Sequence, residues 1–164
     1  MEETIRSAQE GDLPGLLAIY NAAIEQTTAT CETEPRTLAE RQAWWEAHLD
    51  PRYPLLVAEQ DGDVLGYACL SVWAAGPVYA QTAEASLYLA PGAQGRGLGT
   101  RLMRALLAEA RRIGHHVIVS RIWSQNGASL AMCRKCGYET IGVQKEVGRR
   151  HGAWEDCEIL QVIL

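Results

Sequence analysis

Hydrophobic residues recur along this chain with two periods. Leu13, Leu16, Leu17, Tyr20 and Ile24 stand three or four apart through LPGLLAIYNAAIEQ, the spacing of one helix face. Asp12 suits the N-cap of that helix, and Pro14 is tolerated in its first turn. TTATCETEP (27–35) breaks the period and reads as a loop. Thr37 can cap a second helix running through LAERQAWWEAHL, with Pro51 just past its end. Leu98, Leu102, Leu106 and Ala110 share one face of a third helix over 98–113, with Arg101, Arg104 and Arg111 mostly off it. NGASLAMCRKCG predicts a short fourth helix, starting at Ser124 or Asn126 and stopped by Gly137.

The remaining apolar segments alternate or run continuously, as strands do. TIRSA (4–8) is a short one. YPLLVAEQ and VLGYACLSVW flank DGD, where Asp61-Gly62 is a hairpin signal. TAEASLYLA (82–90) and HVIVSRIW (116–123) follow, and YETIGVQKEVG and AWEDCEILQVIL form a last pair turning at Arg150 to Gly152. The order is βααββ-β-α-β-α-ββ. Only 82–123 resembles a parallel crossover, so the expected class is α/β, in the sense of an α+β mixed sheet.

Composition narrows the picture. A chain of 164 residues can bury a core without staples, so a single domain over 1–164 is expected. A net charge of -5 and no basic arm argue against a nucleic-acid partner. No apolar run reaches membrane-spanning length, and MEETIRSAQEGD lacks an apolar signal core, which together predict a cytoplasmic protein. Cysteines at 31, 69, 133, 136 and 157 are irregularly spaced and odd in number, as reduced thiols would be. Cys133 and Cys136 form a C-x-x-C with no second pair, so no metal is expected.

PGAQGRGLGTRLMRAL (91–106) carries the first chemical signal. A glycine-rich turn feeding a helix offers backbone N–H groups and a positive dipole end to a phosphate. A P-loop, G-x-x-x-x-G-K-S/T, fits Gly92 and Gly97 but has Leu98 in place of the lysine. A dinucleotide G-x-G-x-x-G fits Gly95 and Gly97 but meets Thr100, and no acid closes the next strand. Q-x-x-G-x-G is matched by Gln94, Gly97 and Gly99. Without a ligand, the same residues are simply a glycine-rich helix start.

That third pattern resembles the pyrophosphate loop of the GNAT acyltransferases, which bind acetyl-coenzyme A. YNAAIEQTTATCETEP, RYPLLVAEQDGDVLGYA, AEASLYLAPGAQGRGLG, NGASLAMCRKCGYE and VGRRHGAWED resemble, in order and spacing, the phosphinothricin acetyltransferase branch of that family. The resemblance covers nearly the whole chain. It implies the GNAT acyl-CoA N-acyltransferase fold, a mostly antiparallel central sheet with one parallel splayed pair and about four helices.

By the same resemblance, backbone groups of Leu87, Tyr88 and Leu89 would pair with the pantetheine and acetyl group. Amides from Ala93 onward, through Gln94, Gly95, Arg96, Gly97, Leu98, Gly99 and Thr100, would hold the pyrophosphate. Arg96 would add charge there, or be a solvated loop arginine. Asn126 and Ser129 match an N-x-x-S that contacts the coenzyme, and either can also cap the helix. Glu84 stands where the branch places a general base. An alkylammonium with a pKa of about 10 must lose a proton before it attacks a thioester, and burial beside aromatics would raise the pKa of Glu84 for that task. The plain alternative is a surface glutamate. Cys133 replaces the tyrosine or histidine that relatives carry near the departing sulfur. It is a candidate catalytic acid or an inert filler, the second being preferred.

Cys31, Trp73, Tyr79 and Thr82 are expected on the acceptor side. Relatives that recognise phosphinothricin or methionine sulfoximine carry basic residues after that tryptophan, whereas this chain reads WAAGP (73–77). Cys31 also replaces an aromatic, and Gln81 a tryptophan. Weak or no activity on phosphinothricin is therefore expected, with a different small primary amine as acceptor. Trp44 and Trp45 are read as packing, His115-His116 as a surface pair, and His151 and Asp156 as structural. The leading function is acetyl-CoA-dependent N-acetylation of a small amine by direct attack. A non-catalytic acyl-CoA-binding module and an acetyltransferase of protein N-termini or lysines are the alternatives. The resemblance further implies a homodimer joined through the terminal strands.

Overall fold

Alternating short strands and amphipathic helices along the chain assemble as one sheet with helices on both faces. The computed structural model describes residues 3–164. In chain order these form β1 (Thr4–Ser7), α1 (Leu13–Gln26), α2 (Leu38–Ala47), β2 (Leu55–Gln60), β3 (Asp63–Val72), β4 (Thr82–Leu89), α3 (Leu98–Ile113), β5 (Val117–Trp123), α4 (Gly127–Lys135), β6 (Glu139–Arg150) and β7 (Ala153–Ile163). The sheet order is β1-β2-β3-β4-β5-β7-β6. Every neighbouring pair is antiparallel except β4 and β5. No helix among the described residues is long and apolar enough to cross a membrane.

Local chemistry explains most boundaries. Asp61 and Gly62 both take positive φ, 56° and 91°, which is the turn that matches strand twist in a two-residue hairpin. His151 and Gly152 repeat the device at 48° and 84° between β6 and β7. Thr37 begins α2 through a reciprocal box: its hydroxyl accepts from the Glu40 N–H at 3.3 Å, and the Glu40 carboxylate accepts from the Thr37 N–H at 2.8 Å. Asn126 starts α4 by accepting from the Ser129 N–H at 3.2 Å.

Two expectations are corrected. Asp12 does not cap α1. A 3-10 turn at Glu10–Asp12 precedes the helix, and Asp12 sits in helical conformation (φ -79°, ψ -13°). Its carboxylate instead accepts two bonds from Arg6, each 2.8 Å, and one from the Gln9 N–H at 2.7 Å. Those donors hold its pKa below the usual carboxylate range. His115 is not a surface residue; it is buried, with Nε2 2.7 Å from the Arg52 carbonyl oxygen.

The core lies in two layers. On one face, Leu98, Leu102, Leu106 and Ala110 of α3 are buried as their spacing predicts, with Met103 and Leu107 widening the stripe against Ala68, Leu70, Ala83 and Ile118. Each such leucine contributes roughly 1.5–3 kcal/mol of burial. On the other face, Leu13, Leu16 and Ile19 of α1 pack on Leu55, Val57, Tyr67 and Cys69. The buried stripe of α1 runs through Ile19 and Ala23 rather than through Tyr20. Strand β4 divides its side chains accordingly: Ala83 and Ala85 enter the α3 layer, while Tyr88 joins the α1 side.

The parallel pair is short. Thr82, Ala83 and Glu84 pair with Val117, Ile118 and Val119, and the register ends there. β4 stays on β3 through Leu89, opposite Gly66, but from Ala85 it has no strand partner on its β5 side. Across the opening, the Ser120 hydroxyl donates to the Ala85 carbonyl at 3.2 Å.

Candidate functional site

The opening between β4 and β5 leads toward the glycine loop at the start of α3. Gly92, Gly95 and Gly97 have φ of 83°, 75° and 78°, the left-handed region. At none of the three does any atom lie within 4 Å of where a Cβ would stand. Gly97 is the N-cap of α3 and no side chain caps this helix, so the first-turn N–H groups from Leu98 to Thr100 have no partner of their own. The 16-residue helix behind them adds its dipole. This is an anion cradle made of backbone. The Leu98 side chain is buried in the core, leaving its N–H as the available group. At Gly99 a Cβ would stand in ordinary contact with β4, 3.5 Å from Leu89 and 3.7 Å from Leu87. Arg96 is not a free loop cation, because it pairs with Glu3 at 3.4 Å, and Arg101 shares the same carboxylate.

Two cavities flank β4. The smaller, about 60 Å³, lies in the opening and is lined by Leu87, Ser120, Asn126, Ser129, Met132 and Cys133 among others. The larger, about 310 Å³, lies on the opposite side under α1 and α2. Ser86 and Tyr88 border both. An extended group entering along the opening, with its anion on α3, would therefore end where the larger cavity begins.

Glu84 sits beside that junction. It faces Ser71 across the β3–β4 register, and Ser71 lines the larger cavity. Glu84 itself is not among the residues bordering either cavity. Its partner is Arg121 of β5, which donates from Nε to Oε1 at 2.7 Å and from Nη2 to Oε2 at 3.0 Å. The parallel register accounts for the pairing, since Glu84 is opposite Val119, two residues before Arg121. Arg121 in turn stands 5.8 Å from the Trp73 ring. A carboxylate held this way accepts protons or hydrogen bonds and donates none.

The structure brings some of the expected site residues together and leaves others apart. Leu87, Tyr88, Asn126, Ser129 and Cys133 meet in the opening. Leu89 ends β4 outside it, packed toward α3. Cys31, Trp73, Tyr79 and Thr82 line neither cavity. Tyr79 is half exposed in the 3-10 turn Pro77–Tyr79, and Thr82 is taken up by pairing with Val117. Cys31 is exposed in its loop, and partial desolvation is the first cause that pushes its thiol up, ahead of the charges of Arg121 and Glu84. Burial also pushes Cys133 up to about 12. Arg121 and Arg41 are the residues that sequence reasoning missed. Neither carries a local signal, since Arg121 lies in an apolar strand and Arg41 reads as part of a solvated helix face.

The loop bearing Cys31 is anchored from the far end of the chain. The Thr30 carbonyl accepts from Trp123 Nε1 at 3.1 Å and from Arg150 Nη2 at 2.6 Å. Arg150 is itself buried against Glu155, 3.2 Å away.

The chain matches the Acetyltransferase (GNAT) family over residues 16–138. It is 42% identical to an L-methionine sulfoximine/L-methionine sulfone acetyltransferase of Pseudomonas paraeruginosa, an alignment covering 100% of this chain and 96% of the relative. It is 37% identical to an L-amino acid N-acyltransferase of Escherichia coli, over 98% of this chain and 94% of that one. A solved structure of a GNAT superfamily phosphinothricin acetyltransferase from Sinorhizobium meliloti, in complex with acetyl-CoA, has a TM-score of 0.94 at 32% identity. It covers 100% of this chain and 89% of its own.

Proposed function

Because this chain belongs to the GNAT family and is an N-acetyltransferase, we propose that it moves the acetyl group of acetyl-CoA onto the primary amine of a small, amino-acid-like molecule. The observation that carries the reading is the meeting of two cavities at Ser86 and Tyr88. The coenzyme's diphosphate lies on the first-turn amides of α3, and its pantetheine arm fills the opening, against backbone that β5 has left unpaired. The acceptor occupies the larger cavity, whose 310 Å³ suits a small molecule.

Glu84 takes a proton from the acceptor ammonium, directly or through a water. The freed nitrogen attacks the thioester carbonyl and β4 amides steady the oxyanion; the carbon–sulfur bond then breaks, and the departing coenzyme thiolate takes the second proton from the nitrogen, directly or through water. Cys133 is a filler in this scheme. A thiol pushed up to about 12 cannot readily give its proton to a thiolate whose own pKa is near 8.5.

Two measurements test the reading. Calorimetry should register binding of acetyl-CoA, and free thiol should appear when acetyl-CoA is mixed with L-methionine sulfone or another amino acid. No association with acetyl-CoA would end the proposal. The same reading includes a homodimer. β6 is the sheet's edge strand and exposes Ile141, Val143 and Val147, with Trp154 exposed on β7 beside it. Sedimentation should give twice the mass of the chain, and a monomer at micromolar concentration would refute that part.

A further inference from the structure

Two arginines are buried among the described residues, and they differ in one respect. Arg150 has the Glu155 carboxylate and the Thr30 carbonyl. Arg41, only 4% exposed, has no ion pair with a described residue, and its Nε and Nη2 find no hydrogen-bond partner. Its guanidinium lies 3.6 Å from the Trp44 ring and 5.1 Å from the rings of Tyr20 and Tyr67. Ring faces attract a cation but do not replace an acceptor for its N–H groups. The Tyr67 hydroxyl beside it is buried and unpartnered as well. A buried charge with idle donors is costly unless something completes it.

Arg41 and Tyr67 line the larger cavity. Its other charged residues are two carboxylates that share one arginine. Glu32 and Glu40 are both held by Arg36, and Glu40 is further tied to Thr37. Burial pushes the His48 pKa down and Arg41 adds to this, against the opposing effect of the Trp44 carbonyl 2.8 Å from its Nδ1. Arg41 is therefore the lining cation that has no carboxylate partner among the described residues.

We propose that Arg41 receives the carboxylate of the acceptor, with the Tyr67 hydroxyl as a second donor, and so selects amino acids over plain amines. This rests on the acetyl-transfer reading above and names the group that orients its substrate. It also supplies, from α2, the cation missing after Trp73. Cys69, which lines the same cavity, feels the charges of both Arg41 and Glu84. Ser71, opposite Glu84 in the β3–β4 register, lines that cavity as well.

The test compares kcat/KM for L-methionine sulfone with that for its carboxamide, in wild type, R41Q and R41K. Wild type should favour the acid by at least about tenfold, the size expected of a charge-assisted bond. R41Q should lose that preference mainly through KM, and R41K, which keeps the charge without the planar fork, should recover part of it. The desamino acid should compete with the acceptor in wild type. Equal use of acid and carboxamide by wild type overturns the proposal, as does a folded R41Q that lowers both alike. Should R41Q fail to fold, the wild-type ratio and the desamino competition still decide. Turnover with no acid preference rejects this inference alone, whereas no turnover with any amine rejects the acetyl-transfer reading itself.

Discussion

Replacing Glu84 by glutamine (E84Q) is expected to lower kcat by about 10²–10⁴-fold, the usual contribution of a positioned general base. Affinity for acetyl-CoA should be unchanged, because Glu84 lies in the paired part of β4, before the strand opens from β5. Folding should also survive, since the Arg121 side chain that loses its partner is about half exposed. The pH dependence gives the sharper check. Without the base, attack must wait for spontaneous loss of the ammonium proton. The free-amine fraction rises tenfold per pH unit below its pKa of about 10. The E84Q rate should therefore climb with pH and narrow the gap to wild type. Steady-state rates of free-thiol release from pH 6 to 10 would measure this, and equal rates in the two proteins would remove Glu84 from the mechanism.

Gly97→Val is expected to weaken acetyl-CoA binding by about tenfold to a hundredfold. The φ of 78° at this N-cap suits glycine, and a β-branched residue there costs about 1–3 kcal/mol. Space is not the obstacle, as nothing lies within 4 Å of the added Cβ. The strain instead turns the peptide that presents the first-turn amides of α3. Gly76→Val is the control. Gly76 has a φ of 111°, also open, but sits before the Pro77–Tyr79 turn and outside the glycine loop. Both variants should lose comparable thermal stability, while only Gly97→Val loses coenzyme affinity by calorimetry. Equal affinity in all three proteins would show that the cradle is not where the diphosphate lies.

What the chain disclosed on its own was whatever depends on nearest neighbours. The leucine spacing of α3, the Asp61-Gly62 turn, the Thr37 start of α2 and the left-handed glycines before α3 are local, and each is where the sequence predicts it. What stayed hidden depends on register and on elements meeting from far apart. Asp12 looked like a cap, but Arg6, on a different element, bids harder for its carboxylate. Glu84 looked like a carboxylate among aromatics, until the parallel pairing set Arg121 beside it. Arg41 is the plainest case. Within LAERQAWWEA it is one more charged helix position, and its burial arises only because Tyr20 of α1, Tyr67 of β3 and Trp44 of α2 converge on it. The insertion of β7 between β5 and β6 is likewise illegible, because nearly every residue of β6 is exposed and carries no inward pattern.

The two donors on the Thr30 carbonyl have a bearing on how the protein comes to be. Trp123 and Arg150 lie 93 and 120 positions downstream of that oxygen. A nascent chain emerging from the ribosome can make α1, α2 and the first hairpin early, but the Thr30 carbonyl gains its first donor only with β5 and its second with the closing hairpin. Such long-range closure is slow to be repaid. The loop that carries Glu32 to the larger cavity is thus secured late, after most of the scaffold has been made.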